Sequence, residues 1–381
     1  MKVRAAVLRG SGRQKPYAES LPLGIEEVEL APPGRGEVLV RILAAGLCHS
    51  DLSVIDGSRP RPLPLVLGHE GAGEIVELGD GVEDLFVGDH VVFVFVPICG
   101  HCEPCATGRP ALCERGAAAN AAGELLGVGS RWTDAGGQTL RHHLGVSAFA
   151  DYVVASARSV VRVDKDLAPE VAALFGCAVL TGVGAVVNTA KVSPGESVAI
   201  FGLGGVGLAA MLAARCSGAY PVVAVDVNEE RLAFALALGA HHALDARSDD
   251  VVETLREITR GGVHYAIESV GNEAVLAEAY SATRRGGTTV SVGLPAPDKM
   301  LSLPAVSLVA EERTIKGSYM GSSVPSRDLP RLIALYRAGL LPVDRLLTHR
   351  LRLEDLNVGF DRLARGDAIR QVVVFDRSAG V

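Results

Sequence analysis

Apolar and polar residues alternate with a period near two through much of the first third of the chain, in EVLVRI, GEIVELG, HVVFVFV, ADYVVAS and VVRVD. Glycine and proline punctuate these runs about every eight to twelve positions, the signature of an all-β unit. From about Pro194 the rhythm changes. SVAIFG (197–202) reads as a buried strand, GVGLAAMLAARCSG as a helix ending at glycine, PVVAVDV as a strand and EERLAFALALGA as a helix. A short strand near 243–244 leads to the helix DDVVETLREIT, the strand VHYAIESVG, a helix over 272–284 and the strand TTVSVGL. TIKGSYMG supplies a sixth strand, followed by the amphipathic helix DLPRLIALYRAG and a closing strand, IRQVVVF. Strands and helices alternating in this way form βαβ units on a parallel sheet. The pattern therefore predicts an α/β fold, a doubly wound parallel sheet joined to a mainly β unit. Neither an internal repeat beyond the two halves of that sheet nor a low-complexity linker interrupts it.

A chain of 381 residues, 48% of them apolar, is long enough for two hydrophobic cores. Aromatics are only 4%, so Val, Leu, Ala and Ile must fill those cores. The net charge of −7 argues against a nucleic-acid surface, which normally needs a basic stripe. The apolar run VVFVFVPI is far too short to span a bilayer. The opening MKVRAAVLRGSGR turns charged too early for a secretory signal. The expectation is a cytoplasmic protein with no nucleic-acid or membrane partner.

VAIFGLGGVGLAA carries Gly202, Gly204 and Gly207 as G-x-G-x-x-G, directly after a strand and opening a helix, with Gly205 and Val206 completing the turn. The first glycine permits the tight turn, the second lets backbone approach a pyrophosphate, and the third lets helix and sheet pack closely. The helix amino end supplies unpaired N–H groups to the phosphates. Asp226 ends the next strand, nineteen residues after Gly207, where a carboxylate can accept both ribose hydroxyls. Its charge would repel a 2′-phosphate, so NAD is expected over NADP, with Arg231 as a counter-signal.

Seven cysteines form an odd count, and four of them crowd into the fifteen residues CGHCEPCATGRPALC. Cys99, Cys102, Cys105 and Cys113 are separated by gaps of two, two and seven. Four thiolates on one short loop can close a zinc tetrahedron that leaves no place for water. An iron–sulfur cluster and disulfides are the competing readings. The wide last gap and the absence of proline after the fourth cysteine disfavour the cluster. Elsewhere, LVLGHEGAGEIVELG (65–79) puts His69 and Glu70 on a turn between two strand-like runs, Cys48 lies in GLCHSD and Cys177 in FGCAVLTG. These are too far apart for spacing to assemble them, and a lone buried Cys is ordinarily packing, which is how Cys216 is read.

The GHE motif, the four-cysteine lobe and GLGGVG, in this order over nearly the whole chain, resemble the medium-chain zinc-dependent alcohol dehydrogenase family. The resemblance implies a GroES-like catalytic domain over 1–178 and 321–381, with a zinc lobe at about 97–115, and a Rossmann domain over 179–320. It implies two zinc ions per chain. Cys48, His69 and Cys177 would form an open catalytic site, and the four clustered cysteines a closed structural one. Glu70 would sit behind the metal and Asp51 would orient the ligating imidazole. The implied reaction is hydride transfer between a primary or aromatic alcohol and NAD, with zinc lowering the pKa of the alcohol. Ser50 matches the hydroxyl that passes on the alcohol proton, whereas Ser53 stands where many relatives carry the histidine that finishes the relay. His49 and Arg370 match groups facing the cofactor phosphates, Thr181 lies beside the nicotinamide, and Val292 joins the cofactor-binding set. Phe95 and Phe149 fall where relatives line the alcohol channel. The long Gly/Ala-rich segment 114–144 resembles the loop of dimeric members, and the sheet edge near 287–319 suits a homodimer, with a tetramer as the alternative. His142 and His143 within that segment are read as solvated or structural.

Two other functions compete. Oxidation of a thiol–formaldehyde adduct would call for an arginine soon after the fourth lobe cysteine, where Ala117 stands with Arg115 two positions early. It would also call for acidic residues near 59–63, which GSRPRPLP lacks. A catalytically silent nucleotide-binding relative would not need all three ligands and Ser50.

Overall fold

The computed structural model describes residues 1–376. Two compact units emerge, one comprising residues 1–177, 324–330 and 347 onward, the other 178–323 and 331–346. The second assignment corrects the expectation that everything after 321 belongs with the first unit. Its reason is local packing: Val343 and Leu346 are fully buried, and their segment packs with the helix Gly205–Cys216.

The first unit is built around the strand Glu37–Gly46. Its sequence is apolar almost throughout because it is covered on both faces, as interior strands are. Glu70–Leu78 pairs antiparallel along one edge, ending in the register Gly46↔Glu70. Tyr152–Ser156 and Arg370–Val374 share the other edge, with Gly46 opposite Val372. A closed barrel of Lys2–Leu8, Leu23–Leu30, Trp132–Thr133, Thr139–His142 and Leu65–Val66 completes the unit. The two amino-terminal strands escape a sequence reading because successive glutamates and an exposed Ile25 blur the alternation in LGIEEVEL. One continuous core joins both sheets and contains Trp132, Phe93, Phe149, Phe360 and Ile42.

The segment 114–144 is not an open loop. Glu114–Ala122 is a helix, as its alanine content favours. Cys113 caps its start and Gly123, at φ 68°, its end. A second correction concerns apolar length. Residues Pro169–Ala190 form a 22-residue helical segment, long and apolar enough to cross a bilayer by length and composition alone, yet mostly buried within the protein. It is a core helix, and its middle, Phe175–Val179, widens to π-type turns around Cys177. Such turns recur at functional sites.

The second unit is a six-stranded parallel sheet. In spatial order its strands are His242–Asp245, Val222–Asp226, Val198–Phe201, Val263–Glu268, Thr283–Ser291 and Thr314–Gly317. This is the order 3-2-1-4-5-6 of the dinucleotide fold, whose ligand crevice opens at the carboxyl ends of the first and fourth strands.

Candidate active site

Strand register assembles the first unit's site. Because Gly46 pairs with Glu70, Cys48 leaves the central strand beside the point where His69 enters the neighbouring one. Gly68 makes that entry possible. Its φ is +94°, and a Cβ there would lie 2.6 Å from the Phe149 nitrogen, so only glycine fits. Cys177 arrives from the core helix.

The result is a tight donor set. Ligand atoms of Cys48, His69, Glu70 and Cys177 all lie within 4.8 Å of one another. His69 Nδ1 is 3.0 Å from Asp51 Oδ1, while Nε2 is buried and has no hydrogen-bond partner. A buried, orphaned imidazole nitrogen beside two cysteines calls for an acceptor of its lone pair, and zinc fits. Asp51 is fully buried, and its second oxygen accepts the Cys48 N–H at 3.2 Å, so one carboxylate orients two of the donors. Burial alone would push His69 down, but the Asp51 carboxylate lifts it to about 10. The hydrogen bond with Cys177 lowers Cys48, and the same contact together with burial raises Cys177. A metal ion held here would compete with protons for the His69 nitrogen and the cysteine sulfurs.

Behind these donors Glu70 and Arg370 form a buried ion pair, the side chains 0% and 5% exposed. Arg370 Nε has no partner, so a donor remains on the guanidinium. The Phe95 ring meets His69 edge-on, centroids 5.9 Å apart. Ser50 and His49 occupy the first turn of the helix His49–Ile55, which starts directly after Cys48. Ser53 Oγ donates to the His49 carbonyl at 2.8 Å.

One expectation changes and another narrows to its structural half. Phe149 is completely buried and packs against Phe360 at 6.1 Å, so it is core and lines no channel. His142 and His143 are not solvated, each being 2% exposed. Burial, with Arg131 nearby, holds His142 down at about 3, and its Nε2 accepts the Arg131 N–H. His143 Nδ1 approaches Asp51 Oδ1 to 3.1 Å, without hydrogen-bond alignment. No periodicity or motif in RHHLG signals that approach, because it depends on a turn folding back over the strand that delivers His69.

The four-cysteine lobe is a second donor set. Sγ atoms of Cys99 and Cys105 are 4.0 Å apart and those of Cys102 and Cys113 3.9 Å, near the edge of about 3.8 Å that Zn–S bonds of about 2.3 Å give a tetrahedron. Disulfides need about 2.05 Å, and all seven cysteines are unpaired. Backbone N–H groups of Cys99, Cys102 and Gly116 point at sulfurs at 3.3 Å, as thiolates require. Burial raises Cys105 to about 12, while hydrogen bonds to the His101 and Cys102 N–H groups outweigh burial and bring Cys99 to about 6.

In the second unit the glycine turn has the geometry its motif requires. Gly202 has φ +88°, a Cβ on Gly207 would lie 1.8 Å from the Gly202 carbonyl, and nothing lies within 4 Å of one on Gly204. Gly205 and Val206 begin the helix Gly205–Cys216, whose amino end faces the turn. Asp226 is 8% exposed. One oxygen accepts from Leu203 N–H at 2.6 Å and the other from Asn228 N–H at 2.9 Å, tying the acid to the glycine turn. Arg231 lies on the first turn of the following helix, Glu229–Ala237. Val292 is half-buried just past the fifth strand, and Thr181 Oγ1 is buried without a partner.

Comparison with known proteins agrees with this geometry. Residues 34–165 match the alcohol dehydrogenase GroES-like domain, and residues 205–338 match the zinc-binding dehydrogenase domain. Geraniol dehydrogenase of Castellaniella defragrans is 39% identical over 377 residues, covering 98% of each chain. A zinc-binding-domain alcohol dehydrogenase protein from Burkholderia ambifaria superposes with a TM-score of 0.93 at 40% identity, covering 99% of this chain and all of its own. Benzyl alcohol dehydrogenase from Acinetobacter calcoaceticus does so with 0.90 at 34% identity, with the same coverage. Neither the thiol-adduct reading nor the silent-relative reading gains support from these matches. The chain belongs to the medium-chain zinc-dependent alcohol dehydrogenase family, enzymes that move hydride between an alcohol and a nicotinamide dinucleotide.

Proposed function

We propose that this enzyme oxidises primary alcohols bearing an unsaturated apolar group at the carbinol carbon, allylic or benzylic, with NAD as hydride acceptor. The observation that carries the reaction class is the convergence of Cys48, His69 and Cys177 donor atoms around an unpartnered imidazole nitrogen. The names of the relatives at 39% and 34% identity support the substrate class. Phe95, packed on His69, supplies an apolar wall.

Zinc held by these three donors supplies a Lewis acid for the alcohol oxygen. The chain's own residues do the rest. Asp51 keeps the His69 ring in place, and Ser50 accepts the alcohol proton and passes it on, with Ser53 leaving the exit to water. The glycine turn of Gly202, Gly204 and Gly207 cradles the pyrophosphate. Asp226 accepts the ribose hydroxyls, and Thr181 and Val292 flank the nicotinamide. Cys99, Cys102, Cys105 and Cys113 would hold a second zinc, whose closed donor set leaves it a structural role. The odd cysteine count, with six of the seven grouped as metal donors, supports a cytoplasmic setting. A homodimer is supported by the edge strand Thr314–Gly317 and by Val306 and Val309, 72% and 83% exposed beside it in sequence.

A screen of short aliphatic, benzylic and terpenoid alcohols with NAD and NADP, followed by absorbance of the reduced cofactor, tests this reading. Benzylic or allylic primary alcohols with NAD should give the highest kcat/KM, and a preference for short aliphatic alcohols would refute the substrate class. Asp226→Asn keeps an acceptor for the Leu203 N–H but removes the charge. It should shift the NAD:NADP ratio of kcat/KM toward NADP by about tenfold, or about 1.4 kcal/mol. An unchanged ratio would remove Asp226 from cofactor choice.

A further inference from the structure

Three features of the segment 143–149 have no part in the reaction described above. His143 is 2% exposed, its Nδ1 lacks a hydrogen-bond partner, and it lies 3.1 Å from the same Asp51 oxygen that holds His69. Its ring stands perpendicular to that of His69, at 84° with centroids 5.5 Å apart, as Phe95 does at 89°. Leu144 and Ser147 have φ of 54° and 60°, in the left-handed region that non-glycine residues avoid.

The surroundings explain how that backbone is held. Ser147 is fully buried, and its Oγ accepts the His143 N–H at 2.9 Å and donates to the Val66 carbonyl at 2.9 Å. The N–H groups of Ala148 and Phe149 donate to the carbonyls of Gly68 and Leu67 at 3.0 and 3.1 Å. The turn carrying His143 is thereby fastened to the three residues that immediately precede His69. A strained turn kept by so many bonds, ending in a buried imidazole without an aligned partner, indicates selection for position.

From this geometry we infer that His143 is a positioning residue for His69. It shares the Asp51 carboxylate and, with Phe95, confines the His69 ring, so that Nε2 stays aimed at the cysteines. Ser147 is the brace that sets His143. The inference rests on the reading of Cys48, His69 and Cys177 as zinc ligands. Loss of outer support of this kind weakens metal binding by about 10–100-fold.

The test uses the zinc-loaded enzyme and follows zinc release to a chelator, with Cys48→Ala identifying which zinc is released from the Cys48 site. His143→Leu should release that zinc about tenfold faster. It should also lower kcat while leaving the KM for NAD unchanged. His143→Asn, which can put a polar group near the Nδ1 position, should recover most of both losses. Ser147→Ala, which keeps the imidazole but removes the brace that positions it, should speed release as well, and it serves if His143→Leu does not fold. Wild-type release rates in folded His143→Leu, or in Ser147→Ala, would overturn the inference. Absence of any Cys48-dependent zinc in the wild-type protein would instead overturn the ligand assignment beneath it.

Discussion

Cys48→Ala is expected to lower turnover at least about a thousandfold, equivalent to about 4 kcal/mol of transition-state stabilisation, while folding and NAD binding persist. The substitution removes one sulfur from a set of three protein donors, and His69 and Cys177 alone make a poor zinc site. Cys48 sits at the start of a helix where its backbone N–H, retained in alanine, still bonds Asp51. The glycine turn and Asp226 belong to a different sheet, so the proposed nucleotide contacts there are untouched. Initial rates with saturating alcohol, alongside fluorescence titration with NADH, check both halves. Rates within tenfold of wild type would show that the hydride transfer does not depend on this donor set.

Arg370→Ala should strongly destabilise the first unit, costing about 3–5 kcal/mol. Arg370 and Glu70 are both almost wholly enclosed, and removing the guanidinium leaves a carboxylate buried without its counter-charge. Burial already pushes Arg370 below its ordinary value, with the Cys48 thiolate opposing that shift, so the cation is held by its anionic neighbours. Replacing Glu70 as well removes the stranded charge, so the double variant should lose less than the sum of the two single losses. Thermal unfolding of the four proteins in a double-mutant cycle measures this. Strict additivity would mean that the pair carries no coupling energy.

Legibility from sequence varied with the range of the interaction. The dinucleotide fold was readable because its signals are local: glycines at fixed offsets, a strand before them and an acid at the end of the next strand. The six parallel strands fall close to the runs that periodicity marks out, including the short one at His242–Asp245 and the edge at Thr314–Gly317. The four-cysteine lobe was readable for the same reason, since all its donors lie on one loop. Cys48, His69 and Cys177 were not derivable from spacing, because their meeting depends on the register Gly46↔Glu70 and on a helix more than a hundred residues downstream. Resemblance supplied that link, and the geometry gives its physical reason. Phe149 faces the core and not a channel, a direction that position in a motif-rich segment does not report. Its backbone bonds to Leu67 and its ring lies in the core. His143 went unseen because its significance lies in a left-handed turn, and turn conformation at Leu144 and Ser147 runs against residue preference.

Zinc content per chain, measured on the purified protein beside Cys48→Ala and Cys105→Ala, tests the central claim most directly. Two zinc ions in the wild type and one in Cys48→Ala, with the lobe variant losing the other, is the result this structure predicts. One zinc in both the wild type and Cys48→Ala would contradict a metal centre at Cys48, His69 and Cys177.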